Sequence, residues 1–365
     1  MNFTLLLGLA LAQNHFLDNE VIVPLPQFEK NDNLFLIGGV MPLTNFPDSG
    51  YNLDGIQQAE ALRYGIKVLN NDVRVLPNIT LAENIRDAGG NVNQAIAAAL
   101  SLQNDGIPAV IGPSDSAPVS TIANLYNIQK IPLLSYGASA VDLSSAFNFP
   151  TFFRTTGSDL QEARAIVEVF VSLGWDFVAP LFSDDEIGSS GSTAFPNAAS
   201  RRRVRLTCSN TIKAGTTSGM ESFSNCLAES FANVVVLYMK AEDAINAINI
   251  INQNPINRRV VFIAPKGWGR IADQNNLGNF PILHGSFAFV PSTGDLTGFN
   301  TWWKTRNPTN SNYSAFLDYW QDRFKCILNG NFPNCPDSEK FRTFPCKCTG
   351  RESHTDNEPL TVISF

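Results

Sequence analysis

Hydroxyl side chains gathered where apolar runs stop are the residues of this chain best placed to do chemistry. Ala109-Val110-Ile111 ends at Gly112-Pro113 and is followed by Ser114, Asp115 and Ser116. Ile131 to Leu134 ends in Ser135-Tyr136-Gly137-Ala138-Ser139. After the first loop, apolar residues recur at Val119, Ile122, Ala123 and Tyr126, a helical spacing with Asp115 or Ser116 as N-cap. In an open parallel sheet, two neighbouring strands that each end this way make a ligand site beside helix N-termini, whose N–H groups favour anions. Two ordinary strand-to-helix turns capped by Ser and Asp are the alternative.

An enzyme needs a nucleophile or an acid/base pair, and the candidates are poor. Gly112-Pro113-Ser114-Asp115-Ser116 lacks the second glycine that a nucleophile elbow uses in its sharp turn. His15, His284 and His354 lie far apart without recognisable partners. Asp184-Asp185-Glu186 is an acidic loop that either binds a cation or is a solvated turn, and the turn is the expectation. Neither a P-loop nor a GxGxxG appears. A secreted hydrolase is therefore a remote alternative to a binding protein.

The elements that must position these loops read as alternating strands and helices. Leu34-Phe35-Leu36-Ile37 is a strand ending at Gly38-Gly39, and apolar residues at 56, 59, 62, 66 and 69 make one face of a helix closed by Asn70-Asn71-Asp72. Ile79 to Ile85 is a strand and Val92 to Leu100 an Ala-rich helix. After Arg154 the rhythm restarts. Ala163, Ile166, Val167 and Phe170 form a helix face, and Phe177–Phe182, Val234–Tyr238 and Val260–Ala264 are buried strands. Leu283 to Val290 is read as a strand crossing back to the first half, with Trp302-Trp303 and a helix from Phe316 to Phe324 on the return. The pattern predicts two α/β lobes, each a mostly parallel sheet flanked by helices.

The 365 residues suffice for two lobes with proper cores, and a net charge of −7 leaves no basic stripe for nucleic acid. Arg201-Arg202-Arg203-Val204-Arg205 reads as a solvated helix end running into a strand. Phe3 to Ala12 is a short apolar core ending in Ala10-Leu11-Ala12, the small-x-small pattern of a cleaved signal over residues 1–12, although no Lys or Arg precedes it. Beyond it no run reaches the ~18–20 apolar residues that span a bilayer, so the exported chain is expected to be soluble. Six cysteines agree with an oxidising compartment. Asn78-Ile79-Thr80 and Asn312-Tyr313-Ser314 are glycosylation sequons.

Leu134-Ser135-Tyr136-Gly137-Ala138-Ser139 and Phe149-Pro150-Thr151-Phe152-Phe153-Arg154-Thr155 resemble the GABA-B branch of the extracellular Venus-flytrap domain of class C G-protein-coupled receptors. Leu76-Pro77-Asn78-Ile79-Thr80-Leu81, Gly55-Ile56-Gln57 and Ser158-Asp159 resemble its metabotropic glutamate branch. The resemblance runs from about Leu34 to Glu352 and is weakest between 192 and 232. It implies a type I periplasmic-binding-protein-like fold with lobe 1 at 33–153, lobe 2 at 154–290 and a return to lobe 1 at 291–365. That return stops short of the family's last lobe 1 helices, so lobe 1 is expected to be incomplete, with apolar surface near Val362 to Phe365.

The resemblance also implies a site. Ser116 and Ser139 match hydroxyls that grip a ligand carboxylate, with Gly137 in the second loop, and Asp159 matches a carboxylate near a ligand ammonium. Two positions depart from the metabotropic pattern: Ile187 stands where a tyrosine packs on the ligand, and Lys266 where an aspartate meets the amine. Trp268 keeps the family's Gly-Trp pair. Lys266 is expected to latch the lobes through Asp159, to meet a second anionic group of an acidic ligand, or to reach solvent beside Trp268. Cys326 with Cys348 looks like a loop disulfide of the family, inside which Cys335–Cys346 can nest; Cys208 stands where the family has a cysteine that ties the lobe to a following cysteine-rich module, and with that module not in this sequence Cys226 is its expected partner. The implied function is sensing of a small amino-acid-like or carboxylate ligand by hinge closure, outside the cell, with no cofactor. Dimerisation through lobe 1, and a G protein if a membrane domain follows, come with it. A transporter's soluble binding protein and the ectodomain of a receptor guanylate cyclase are the alternatives.

Overall fold

The computed structural model describes residues 33–45, 50–254, 256, 258–269, 281–290, 294–330, 332–336, 345–349 and 352–354. The expected signal segment 1–12, His15 and the stretch Val362 to Phe365 lie outside the described residues. The chain divides into two compact units. The first takes the described residues as far as Ala138, then Ser145–Thr155, then those from 294 onward; the second takes Ser139–Ser144 and those from Thr156 to 290.

In the first unit, β1 (Leu34–Met41) is followed by a small hairpin, β2 (Thr44–Asn45) with β3 (Gly50–Tyr51), and by α1 (Leu53–Asn71). Then come β4 (Thr80–Asp87), α2 (Val92–Asn104), β5 (Val110–Ile111), α3 (Ser116–Gln129), β6 (Leu133–Ser135) and β7 (Phe152–Arg154). The sheet order is β4-β1-β5-β6-β7, all parallel. Strand β1 does not stop at its glycines: a Cβ on Gly38 would lie 2.9 Å from Val110 Cγ2, and one on Gly39 3.0 Å from Leu62 and Ile85. Those two positions are small because neighbours press on the strand, not because the chain turns.

Helix α1 is buried on two sides. Ala59, Leu62 and Ile66 pack with Ile37, Met41 and Leu81 of the sheet, while Ile56 and Ala61 join a second, aromatic cluster. That cluster is supplied by α9 (Thr297–Lys304) and α10 (Ser314–Phe324), through Phe299, Trp303, Phe316, Tyr319, Trp320 and Phe324. A helix so enclosed must pair its polar side chains internally. Glu60 is fully buried and meets Arg63 at 2.7 Å and the Ser311 hydroxyl at 2.9 Å. Disulfides Cys326–Cys348 and Cys335–Cys346 close the loop after α10.

The second unit carries α4 (Asp159–Leu173), β8 (Phe177–Ser183), α5 (Glu186–Arg201), β9 (Arg205–Leu206), β10 (Asn210–Ile212) and α6 (Met220–Glu229). It continues through β11 (Val234–Tyr238), α7 (Ala241–Gln253), β12 (Val261–Ala264), α8 (Lys266–Gly269) and β13 (Phe287–Ala288). Its parallel sheet runs β10-β8-β11-β12-β13, with β9 also on β8. Alternation along β11 divides the core: Val234, Val236 and Tyr238 face α4 and α5, and Val235 and Leu237 face α6 and α7. Between β9 and β10 sits Cys208, with φ 52°, bonded to Cys226 of α6. Of the stretch read as a strand from Leu283 to Val290, only Phe287–Ala288 pairs, and it pairs with β12 in this second sheet.

Hydrogen bonds and packing assign two short segments to their units. Arg154 and Thr155 stay with the first unit because Arg154 pairs with Ser135 and the Thr155 N–H donates to the Ser135 carbonyl at 3.1 Å. Ser139–Ser144 belongs to the second, where Val141 packs on the core and the Ser139 carbonyl accepts the Asp159 N–H at 2.9 Å.

Candidate functional site

Of the expected site residues, Ser116 and Gly137 lie in the first unit, and Ser139, Asp159, Ile187, Lys266 and Trp268 in the second.

In the first unit the two hydroxyl-rich loops are fastened together. The Ser135 hydroxyl donates to the Pro113 carbonyl at 2.7 Å and accepts the Ala138 N–H at 3.0 Å. A Cβ on Gly137 would sit 2.8 Å from the Ser114 carbonyl oxygen, so glycine is what lets the loops touch. Asp115 is the N-cap of α3, yet its side chain makes no capping hydrogen bond, and Ser116 is buried at the first helical position. The positive end of the helix dipole and a buried hydroxyl therefore coincide, a combination suited to an anion. Beneath the loops the Tyr136 hydroxyl donates to Gln58 Oε1 at 2.6 Å, and burial pushes its pKa well above the ordinary tyrosine value.

In the second unit a polar cluster forms at the start of α4. Ser158 caps the helix with a capping box to Gln161, which places Asp159 at the first helical position, buried. The Lys266 ammonium donates to Asp159 Oδ1 and to Ser139 Oγ, and the Ser190 hydroxyl donates to Asp159 Oδ2. Lys266 and Asp159 are both in this unit, so their ion pair does not join one unit to the other as the latch reading required. One helical turn on from Asp159, Glu162 Oε1 accepts the Lys266 main-chain N–H at 2.7 Å. Burial raises the Glu162 pKa; the Lys266 N–H and charge pull it down, and the Asp159 charge pushes it up. Tyr238, at the end of β11, has a buried hydroxyl without a hydrogen-bond partner.

Ile187 is half-buried in α5 and limits the space at Gly267, where an added Cβ would lie 3.1 Å from its Cγ2. Trp268 is 2% exposed in the core, and its indole N–H donates to the Leu237 carbonyl at 2.9 Å. The carboxylates of the acidic loop accept main-chain N–H groups. Asp185 Oδ1 accepts the Gly188 N–H at 3.1 Å, Asp184 Oδ1 accepts the Ala214 N–H at 2.7 Å, and no metal-holding group of His, Cys, Asp or Glu occurs among the described residues. His354 is stacked on Trp303 and Tyr319 in the aromatic cluster, and the sequons' Asn78 and Asn312 are exposed.

Glu162, Ser190 and Tyr238 were not singled out in the sequence. Glu162 had a usable signal, since it lies three residues after Asp159 on the same helical face. Tyr238 reads as one more core residue of an apolar strand, and Ser190 is one of several serines in α5.

A family described as receptor family ligand binding region matches residues 57–352. The chain belongs to this family. Extracellular calcium-sensing receptors of Homo sapiens, Sus scrofa and Mus musculus are each 26% identical over 299 residues, covering 76% of this chain and 28% of the relative. The chain thus spans little more than a quarter of the length of these receptors. Family and relatives together support the class C receptor ligand-binding domain and the two-sheet α/β fold of a type I periplasmic-binding-protein-like flytrap. Among the described residues no helix is long and apolar enough to cross a membrane.

The Glu162 environment makes a testable statement about pH. Its carboxyl titrates higher in the folded than in the unfolded chain, so its stabilising share is complete below the ordinary glutamate range and is lost as pH rises through the raised value. Glu162→Gln, which cannot ionise, is expected to flatten the fall in stability over that window. Thermal midpoints measured across pH check it, and an unchanged slope counts against the assigned environment.

Proposed function

We propose that this chain is the extracellular ligand-binding region of a class C receptor-like protein, binding a small amino-acid-like or carboxylate ligand between two units that close on it. The observation that carries this reading is the buried Ser116 hydroxyl at the N-terminus of α3, in a loop held against the Gly137 loop. Hydroxyls and helix N–H groups together suit a carboxylate. The family match supports a binding role over an enzymatic one. Three disulfides suit an extracellular setting, where the exposed Asn78 and Asn312 would carry glycans. Closure is driven only by contacts that favour the closed state, so groups of the second unit set the response. A dimer formed through the first unit, and coupling to a G protein through a membrane domain, complete the proposal.

Ser116→Ala is expected to weaken binding of the cognate carboxylate by about 1–3 kcal/mol, through loss of a charge-assisted partner. Calorimetry over a panel of small acids identifies the ligand and measures the change. Unaltered affinity would place the ligand elsewhere.

A further inference from the structure

Asp159 is a buried carboxylate whose two oxygens are both engaged by the chain itself, Oδ1 by the Lys266 ammonium and Oδ2 by the Ser190 hydroxyl. The same ammonium donates to Ser139 Oγ, so one lysine head group serves two acceptors from different segments. Its stem is anchored at the start of α8, where the Lys266 main-chain N–H is held by Glu162. A buried carboxylate demands a cation. Here that cation is covalently part of the protein. An ammonium has three donors; two go to Asp159 and Ser139, and the side chain remains 29% exposed. The Tyr238 hydroxyl is buried without a hydrogen-bond partner, and the Glu162 and Asp159 carboxylates both bear on it electrostatically. Such a hydroxyl is completed by water or by an atom of a ligand.

We propose that Lys266 is the resident ammonium of this site and determines its specificity: it fills the place on Asp159 that a ligand's amino group would take, and holds the Ser139 hydroxyl as well. The site then accepts acids without an amino group, offering them the remaining Lys266 donor, and rejects acids that bring an ammonium of their own. This rests on the small-acid reading above.

The test is a chemical rescue on the full chain. Lys266→Ala removes three methylenes and the ammonium, the atoms of propylammonium, and leaves the main-chain N–H on Glu162 in place. The variant is expected to melt below wild type and to regain its midpoint with propylammonium chloride, while propionate as its sodium salt does not restore it. Wild type should not respond to the amine, and Lys266→Ala combined with Asp159→Asn should lose the rescue. Equal responses of wild type and Lys266→Ala, or a rescue that survives Asp159→Asn, overturn the assignment. Should Lys266→Ala fail to fold, Lys266→Met keeps the apolar stem. It is expected to bind propionate or succinate about tenfold or more weakly than wild type, and unchanged binding overturns the proposal. Wild type that prefers glycine to propionate also overturns it. Wild type that binds neither propionate nor succinate overturns the small-acid reading and the ligand class drawn from it; the amine pattern, read without any acid present, decides the role of Lys266 separately.

Discussion

Trp320→Ala is expected to destabilise the first unit by about 3–5 kcal/mol, the range for deleting a large aromatic side chain from a packed core. Trp320 is 1% exposed and lies against Phe316, Phe324 and His354. Its neighbours are held in place, Phe316 and Phe324 on α10 and His354 stacked on Trp303 and Tyr319, so they have little freedom to collapse into the void. The indole N–H has no hydrogen-bond partner, so the ring's bulk rather than its polar atom holds the cluster. Trp320→Phe should therefore cost far less than Trp320→Ala. Chemical denaturation of both variants checks the pair, and equal losses would mean that the N–H matters after all.

Gly188→Ala is expected to cost the second unit about 3 kcal/mol or more, at the upper end of overpacking. An added Cβ would lie 1.9 Å from the Ser183 carbonyl oxygen and 2.3 Å from its nitrogen. Both are main-chain atoms at the end of β8, which no side-chain rotation can move. Asp185 binds the Gly188 N–H and the Ser183 hydroxyl, so the turn from β8 into α5 is tied at several points and cannot open. Because α5 carries Ser190, the variant should also loosen the Asp159 cluster. Thermal unfolding with and without propionate separates the two effects; a midpoint near wild type would show that the turn relaxes.

Much of the fold was legible because its signals are local. The period of α1, the N-cap of α3 at Asp115 and the apolar runs of β8, β11 and β12 each report on a few consecutive residues. Family resemblance supplied Cys326–Cys348, Cys335–Cys346 was nested inside it, and Cys208–Cys226 was expected against the family's use of that cysteine; all three pairs are present in the structure. What escaped depends on distant neighbours. Gly38 and Gly39 read as a stop because sequence does not show Val110, Leu62 and Ile85 pressing on β1. The excursion at Ser139–Ser144 has no compositional mark; packing of Val141 and the Ser139–Asp159 hydrogen bond define it. Lys266 stood out as a departure, but its pairing with Asp159 was one of several open outcomes and its hydrogen bond to Ser139 was not among them. The Gly-Trp pair at Trp268 says nothing of which way the indole points, and its hydrogen bond to the Leu237 carbonyl is seen only in the fold.

The division of the first unit between distant stretches of chain has a consequence for its synthesis. The second unit is nearly continuous in sequence, whereas the first needs contacts such as Tyr51 with Asp322, 271 residues apart, and Glu60 with Trp302, 242 apart. A ribosome delivers every strand of the second unit before α9 or α10 has been made. During that interval Ile56 and Ala61 of α1 have a sheet beneath the helix but no aromatic cluster to cover them. Closing so long a loop late is slow and leaves apolar surface open to association. The second unit can thus be complete while the first still waits, and the nascent chain's exposure to misassembly is concentrated along one side of one helix.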